Sequence, residues 1–587
     1  MSRKRLVVIG GVAAGASAAA RARRMNEEIE IVVLEAGPYI SYANCGLPYY
    51  VGGEIRERNR LLVADRDVFS RRFNLDVRVE TKVVAIEPAA RRVRAVDAGG
   101  AESVISYDRL VLATGAVPIR LPVPGLDHPA IFQVRTVPDV DAIKERLTAA
   151  RARSGREELE ALVVGGGYIG LEMAEQLSRQ GCRVTVVEML PQVMRALDFE
   201  MAELLHQTLV SNGVRVFTAE GLAAVRQSGD GLEAETTAGR RIPFQLGILA
   251  AGVKPNAELA RAAGLRLGAA GGVAVDEFQR TSDENIYAAG DVAEVWHRVA
   301  ERRVFLPLAG PANKTGRIAG NNAALDLLGA PPDDPRRLSF GGVLGTAVVR
   351  VFDTYAAVTG LTERSARECG RECEVTYLWG GSHAGYYPGA EGILFKLVFE
   401  PSSGRLLGAQ AVGGEGTEKR IDVLAAAIQG ELTVEDLAEL DLCYAPPVGS
   451  AKDLPVMAGF LAQNQVRGVM PAWSPVRFLQ VLRERSGEVF VLDVRSELEY
   501  AAGHVPGAVN IPVDHLRRRR DELPAGKPIA VYCQGGYRSY AAQRILLQYG
   551  FAPVYNVLGG YRLIQWCARA LERRSAAEAV RQAGSET

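Results

Sequence analysis

Apolar residues fall in short unbroken runs along this chain, and several of the runs end in glycine and lead into stretches of helical composition. The opening "RLVVIGGVAAGASAAARARR" predicts a buried strand, a glycine turn and an alanine-rich helix, and "IEIVVLE" predicts a second strand ending in Glu35. The same order returns in "ALVVGGGYIGLEMAEQL" and "CRVTVVE", which closes on Glu188. The glycines are Gly10, Gly11 and Gly15 in the first unit, where Val12 stands at the middle position, and Gly165, Gly167 and Gly170 in the second. Such glycines permit a tight turn, let the backbone approach a pyrophosphate, and let strand and helix pack closely. The acid about 20–25 residues on is placed for a ribose hydroxyl. One such unit is weak evidence for a dinucleotide; two in one chain are far stronger.

Two further strands connect the units. "YDRLVLATGAVPIRLPVPG" runs into Thr114, Gly115 and a proline-rich connection, and "TSDENIYAAGDVAE" ends in Gly290 and Asp291. Residues from about 330 to 460 read as strands and helices without a glycine fingerprint. "NQVRGVMPAWSP" reads as a connector, and from about 474 the composition restarts with "VFVLDVRSELEYAAGHVPGAVNIP" and "PIAVYCQGGYRSYAAQRIL".

At 587 residues the chain is too long for one core, and several domains are expected. Its 69 lysines and arginines equal its 69 aspartates and glutamates, so no long-range field draws it to nucleic acid or to an anionic membrane. The "RRRR" at 517–520, followed by Asp521 and Glu522, reads as a solvated helix face. No run approaches the ~20 apolar residues of a membrane span, and the first apolar run passes into a glycine turn with no cleavage pattern. Seven scattered cysteines do not form a disulfide framework, and a cytoplasmic setting is expected. The "CGREC" at 369–373 lacks the second pair that would complete a tetrahedral site, so it reads as surface loop and no metal is expected.

The order of one dinucleotide unit interrupted by another resembles the pyridine nucleotide–disulfide oxidoreductases. The resemblance implies FAD on the first unit, NADH on the second, the Thr114-Gly115-Ala116 segment at the crossing between them, and Gly290-Asp291 against the FAD ribityl–pyrophosphate region. Glu188 would accept from a ribose 2′-hydroxyl and repel a 2′-phosphate, which favours NADH over NADPH.

Disulfide-reducing members of that family usually carry two nearby cysteines. Here "SYANCGLPYY" holds Cys45 alone, and no other cysteine follows until Cys182. Ser41, Tyr42, Asn44, Cys45, Gly46, Pro48 and Tyr49 resemble the coenzyme A-disulfide reductases and the single-cysteine NADH oxidases and peroxidases. A lone redox cysteine stores oxidation as a sulfenic acid or as a mixed disulfide with a diffusible thiol. The resemblance favours the second, with coenzyme A as the thiol; an NADH oxidase or peroxidase is the alternative. It implies ligand contacts at Arg21, Arg24, Ser41 and Asn44, with Arg21 and Arg24 three apart on one helix face as a phosphate clamp. It also implies a homodimer in which Tyr386 or Tyr387 and Tyr444 reach the partner subunit's redox site. Asn313 and Lys314 in "LAGPANKTGR" belong to the same resemblance. The chain departs from it at "AKDLPVMAG", where a proline and then an asparagine more often follow the aspartate.

The segment "CQGGYRS" puts Cys533 at a strand end before a glycine loop and a helix. Its backbone N–H groups turned on the sulfur should lower the thiol pKa and hold a persulfide. With Arg538 in that loop, and Asp493, Arg495, His504, Pro506, Gly507, Ala508 and Asn510 upstream, it resembles the rhodaneses. The fold class expected is α/β, with one α+β domain. Two Rossmann-like domains bind FAD (1–118 and 246–328) and NADH (119–245). An α+β dimerisation domain (329–460), a linker (461–473), an α/β rhodanese domain (474–572) and a tail (573–587) follow. Over nearly its whole length the chain resembles fused coenzyme A-disulfide reductase–rhodanese proteins. The function implied is NADH-driven, FAD-dependent reduction of a coenzyme A persulfide, polysulfide or disulfide, with Cys533 handling sulfane sulfur.

Overall fold

The computed structural model describes residues 3–155, 158–229, 231–485 and 487–585. Residues 586 and 587 of the expected tail lie outside them, as do residues 1 and 2. The first apolar runs form a parallel sheet in the order Ile286–Ala288, Arg109–Leu112, Arg5–Ile9, Glu30–Leu34, Asp76–Arg78. Its strands are apolar along nearly their whole length because helices cover it. The alanines of the first helix, Ala13–Met25, are explained by its neighbour, Ala309–Leu327. A Cβ on Gly316 would lie 2.2 Å from the Ala14 carbonyl oxygen, and one on Gly320 2.1 Å from that of Ala18, so the two backbones meet directly.

A second parallel sheet runs Arg215–Thr218, Cys182–Glu188, Leu159–Val164, Leu246–Leu249, Ile131–Phe132. This corrects the boundary expected between 245 and 246: Leu246–Leu249 pairs with Leu159–Val164 inside the second sheet. The chain crosses back only at Val253–Pro255, which lies antiparallel to the outgoing Ala116–Pro118. A short apolar strand carries no mark of which sheet it joins, because only its hydrogen-bonded neighbours decide that. Thr114 Oγ1 donates to the Asn256 carbonyl at 2.8 Å and closes the crossing.

The third sheet is antiparallel, in the order Ala347–Val351, Thr354–Gly360, Leu406–Gly413, Gly392–Phe399, Glu374–Gly381. The fourth is parallel, Ala472–Trp473, Val554–Val557, Ile529–Tyr532, Phe490–Asp493, Val509–Asn510. The helix Gly560–Ser585 leaves this last sheet and buries Leu563, Trp566 and Cys567 in one apolar core with Leu205 and Phe395 of the second and third units. Arg573 pairs with Glu203, and Arg574 lies 5.1 Å over the Phe199 ring. The C-terminal unit is therefore docked on the rest of the chain. The "CGREC" segment begins at the C-cap of helix Glu363–Glu368 and is half-buried at both cysteines. In the arginine run, Arg519 pairs with the nearby Glu522 at 2.7 Å.

At the seam between the second and third units sits a buried cation. Lys396 Nζ lies 2.8 Å from Asp198, 2.5 Å from Glu200 and 2.8 Å from Glu363, and Lys396 has 0% exposure. Tyr377 donates to Glu200 at 2.7 Å and Gln410 to Asp198 at 2.6 Å. Burial disfavours the ammonium, but the surrounding carboxylates outweigh it and hold Lys396 well above its ordinary range. Among the described residues, no helix is long and apolar enough to cross a membrane.

Candidate functional site

The two glycine turns are built alike. A Cβ on Gly10 would lie 2.3 Å from the Ala113 carbonyl oxygen, and one on Gly165 2.3 Å from that of Ala250. A Cβ on Gly15 would meet the Gly10 carbonyl oxygen at 1.7 Å, and one on Gly170 that of Gly165 at 1.9 Å. Glu35 accepts from the backbone N–H of Gly11 at 2.7 Å, and Glu188 from that of Gly166 at 2.6 Å. Each carboxylate keeps lone pairs free for a ribose hydroxyl. Both following helices start without a side-chain cap and without an acid in the first turn, so their N–H groups remain open to an anion. A side chain on Gly167 would meet nothing within 4 Å. Two dinucleotides fit these cradles.

Cys45 stands in the short helical turn Asn44–Gly46, exposed, and like every other cysteine here it is free. Its loop is tied to the first glycine turn: Ser41 N donates to the Gly11 carbonyl at 2.9 Å, with Ser41 in the left-handed region at φ 48°. That conformation is unusual for serine, and such positions concentrate where a loop is held in place for a purpose. Asn44 Nδ2 and the Tyr42 hydroxyl both donate to the Arg135 carbonyl, at 3.4 and 3.2 Å. Partial loss of water around the sulfur, then the Glu172 and Asp291 carboxylates, push the Cys45 thiol up. Two carboxylates from distant segments thus act electrostatically on the Cys45 sulfur.

Burial carries Asp291 up to about 6 against the pull of Arg135. It carries Glu172 up to about 7, against a hydrogen bond of 3.1 Å from Tyr49. Tyr49 belongs to the matched Cys45 segment, whereas Glu172 stands in the sequence only as one residue of the second dinucleotide helix. The available signal was a carboxylate among the apolar residues of a dinucleotide helix, and it does not say what the carboxylate faces. A raised carboxyl favours the folded state at low pH. That stability is lost as pH rises from the ordinary glutamate range through about 7. Glu172→Gln is expected to remove the loss, so between pH 5 and pH 8 the variant should give up about 2–3 kcal/mol less than the parent. Urea midpoints at the two pH values measure this; parallel behaviour of parent and variant would contradict it.

Arg21 and Arg24 share a face as expected, and Arg317 of the neighbouring helix joins them. Burial, then Arg317 and Arg24, lower the Arg21 guanidinium. Arg21 also donates to Asn321 Oδ1 at 2.8 Å, while Arg24 turns back to the Ala20 carbonyl. Asn313 accepts from Ser17 at 2.7 Å on the same helix pair, and Lys314 beside it is exposed. Of the tyrosines, Tyr386 and Tyr444 join hydroxyl to hydroxyl at 2.7 Å, whereas Tyr387 turns edge-on to His383. Tyr386 is 76% exposed and Tyr444 47%.

In the fourth unit Cys533 follows the strand Ile529–Tyr532 and is 1% exposed. Its sulfur accepts from Gly536 N at 3.1 Å and from Ser539 Oγ at 3.4 Å, at the start of the helix Tyr537–Gln548. Arg538 grips Glu499 with two bonds of 2.6 and 2.7 Å. Arg495 grips Asp493 at 2.6 Å, Asn510 donates to the Asp493 and Arg495 carbonyls at 3.0 Å, and His504 stacks on Tyr500. Around the same segment Tyr500 donates to the Ala508 carbonyl at 2.6 Å, and Gly507 takes φ 78° after Pro506. The three expected segments thus meet around one cysteine loop.

Paired dinucleotide folds with a free thiol beside the first of them define a pyridine-nucleotide-linked oxidoreductase, here carrying a second thiol on a separate sheet. Residues 4–308 match the pyridine nucleotide-disulphide oxidoreductase family, 346–454 its dimerisation domain, and 478–566 the rhodanese-like domain. The chain belongs to the pyridine nucleotide-disulphide oxidoreductase family, whose members bind FAD and NAD(H), and carries a C-terminal rhodanese-like domain. It is 37% identical over 452 residues to a CoA-dependent NAD(P)H sulfur oxidoreductase of Pyrococcus abyssi, covering 77% of this chain and 96% of the relative. The crystal structure of reduced Bacillus anthracis CoADR-RHD superposes with a TM-score of 0.90 at 41% identity, over 96% of this chain and 98% of that one. That of an NAD-dependent persulfide reductase from A. fulgidus gives 0.86 at 38%, over 95% and 99%.

Proposed function

We propose that this protein uses NADH to reduce sulfur carried on coenzyme A, as persulfide, polysulfide or disulfide, through Cys45, while Cys533 carries sulfane sulfur. The observation that carries the reading is a free, exposed Cys45 tied by Ser41 to the first dinucleotide turn, with no second cysteine of its own loop to pair with. The names borne by the similar proteins support it. The turn Gly10–Gly15 with Glu35 would hold FAD, which would supply two-electron chemistry between NADH and sulfur.

The residues of the chain do the rest. Arg21, Arg24 and the nearby Arg317 offer guanidinium groups to the phosphates of coenzyme A. Asn313 and Lys314 border the same helix pair, and Ser41 and Asn44 hold the thiol arm toward Cys45. The Cys45 thiolate attacks the inner sulfur of CoA-S-SH; the S–S bond breaks, hydrosulfide leaves with its electron pair, and Cys45–S–S–CoA remains. Two electrons reopen that bond, so that CoA-S-SH, NADH and a proton become CoA-SH, H2S and NAD+. Hydrosulfide is a better leaving group than an alkyl thiolate, so the first step needs little acid catalysis. The chain works as a homodimer in which the exposed, hydroxyl-linked Tyr386 and Tyr444 face the partner's site as proton donors. Glu188 selects NADH.

Intact mass with and without reductant tests the reading, together with NADH oxidation on CoA persulfide and CoA disulfide in which sulfide is scored. A coenzyme A adduct released by reductant, and sulfide formed with the persulfide, are expected. A mass indifferent to reductant, or a Cys45 sulfenic acid trapped after peroxide in its place, would turn the reading toward the oxidase or peroxidase class.

A further inference from the structure

The loop of Cys533 is not completed by its own domain. Trp379, on the strand Glu374–Gly381 of the antiparallel sheet, donates from Nε1 to the Gly559 carbonyl at 3.2 Å. A Cβ on Gly535 would lie 3.6 Å from Trp379 Cδ1, so the indole touches the cysteine loop as well. The helix Gly560–Ser585 starts on that loop, with Tyr561 N donating to the Cys533 carbonyl at 2.7 Å. The next residue is Arg562. Its guanidinium carbon sits 4.2 Å from the Trp379 ring centre and 5.0 Å from that of Trp566, and the two indoles meet edge to face at 5.2 Å.

Three guanidinium groups border this region, and their charge balance differs. Arg495 is neutralised by three bonds to Asp493 and Arg538 by two to Glu499. Arg562 is exposed and has no carboxylate partner among the described residues. Burial against the indoles lowers it, and no acid offsets that. A guanidinium lying on aromatic faces keeps its in-plane N–H donors free, in an orientation already fixed. An oxyanion is the ligand such an edge matches.

We propose that Arg562, held by Trp379, is the anion-recognition residue of the Cys533 site and selects negatively charged sulfur donors. This rests on the reading of Cys533 as a sulfane-sulfur carrier. With thiosulfate, the Cys533 thiolate attacks the outer sulfur, the S–S bond breaks, and sulfite leaves with the electron pair. Cys533–S–S⁻ remains, and the total charge is unchanged. The reductase sheet thereby supplies part of the second site's specificity, and seven residues beyond Trp379 on the same chain stands Tyr386.

The test uses the full-length holoprotein with thiosulfate as sulfur donor and cyanide as acceptor. Arg562→Gln is expected to raise KM for thiosulfate about tenfold with kcat within about twofold, and Arg562→Lys to recover much of the loss. A second readout is the rate of Cys533 alkylation by iodoacetate relative to iodoacetamide, followed by mass. That ratio should fall about threefold in Arg562→Gln and in Trp379→Leu and stay near the parent's in Arg562→Lys, whereas a merely distorted loop would change both reagents together. An unchanged ratio in Arg562→Gln overturns the proposal while leaving Cys533 as a carrier if thiosulfate is still turned over. A falling ratio without thiosulfate turnover supports the charge assignment and removes the carrier reading. Failure of both reagents and of thiosulfate to reach Cys533 in the parent removes both.

Discussion

Cys45→Ser is expected to lower NADH-dependent turnover of CoA persulfide and of CoA disulfide by at least about a thousandfold. A serine oxygen is not redox-active, and removing the atom that forms the covalent intermediate costs orders of magnitude that no neighbouring group restores. The bonds that fix the glycine cradles to Glu35 and Glu188 do not involve the Cys45 sulfur, and serine is close to cysteine in size, so cofactor binding should persist. Thiosulfate turnover at Cys533 should persist too, because its loop is fastened by Gly536, Ser539 and Tyr561. Loss of the coenzyme A adduct from the intact mass should accompany the loss of rate. A variant that kept a tenth of the parent's rate would place the covalent chemistry elsewhere.

Replacing Lys396 by methionine is expected to destabilise the protein by about 3–5 kcal/mol near pH 8, because it leaves buried carboxylates without their cation. Oxygens of Asp198, Glu200 and Glu363 lie within 4.8 Å of one another, and Lys396 Nζ reaches all three groups. With the ammonium present, Asp198 is held down to about 2 despite its burial, while burial keeps Glu200 up. Without it, like charges at that spacing force protons on, and the acids become neutral as pH falls. The deficit should therefore shrink toward pH 5. Urea unfolding at both pH values measures this, and Glu200→Gln in the same background should recover part of the loss. An unshifted midpoint at pH 8 would mean that water reaches the cluster. The helix Phe199–Ser211 that carries Glu200 also carries Glu203, the partner of Arg573, so weakening here is expected to loosen the C-terminal unit as well.

Much of the site was readable along the chain because its chemistry is local. The turn at Gly10–Gly15 and its repeat at Gly165–Gly170 follow from steric exclusion of a Cβ, and so does their partnership with Glu35 and Glu188. Cys533 announces itself by the glycines after it, since its sulfur is bonded by the third residue on. The choice between Tyr386 and Tyr387 was not readable: adjacent residues in a loop point where tertiary neighbours allow, and only the hydroxyl of Tyr444, 58 positions away, distinguishes them.

The amino-acid sequence alone determined the number and kind of units and the two cradles, and it singled out two candidate thiols, because each signal lies in residues a few positions apart. Tertiary structure alone decided that Leu246–Leu249 stays in the second sheet, that Glu172 and Asp291 bear on Cys45, and that Trp379 and Arg562 meet at the Cys533 loop. Those juxtapositions join residues far apart in the chain. No spacing rule records them, since they arise only when separate apolar faces are buried against one another.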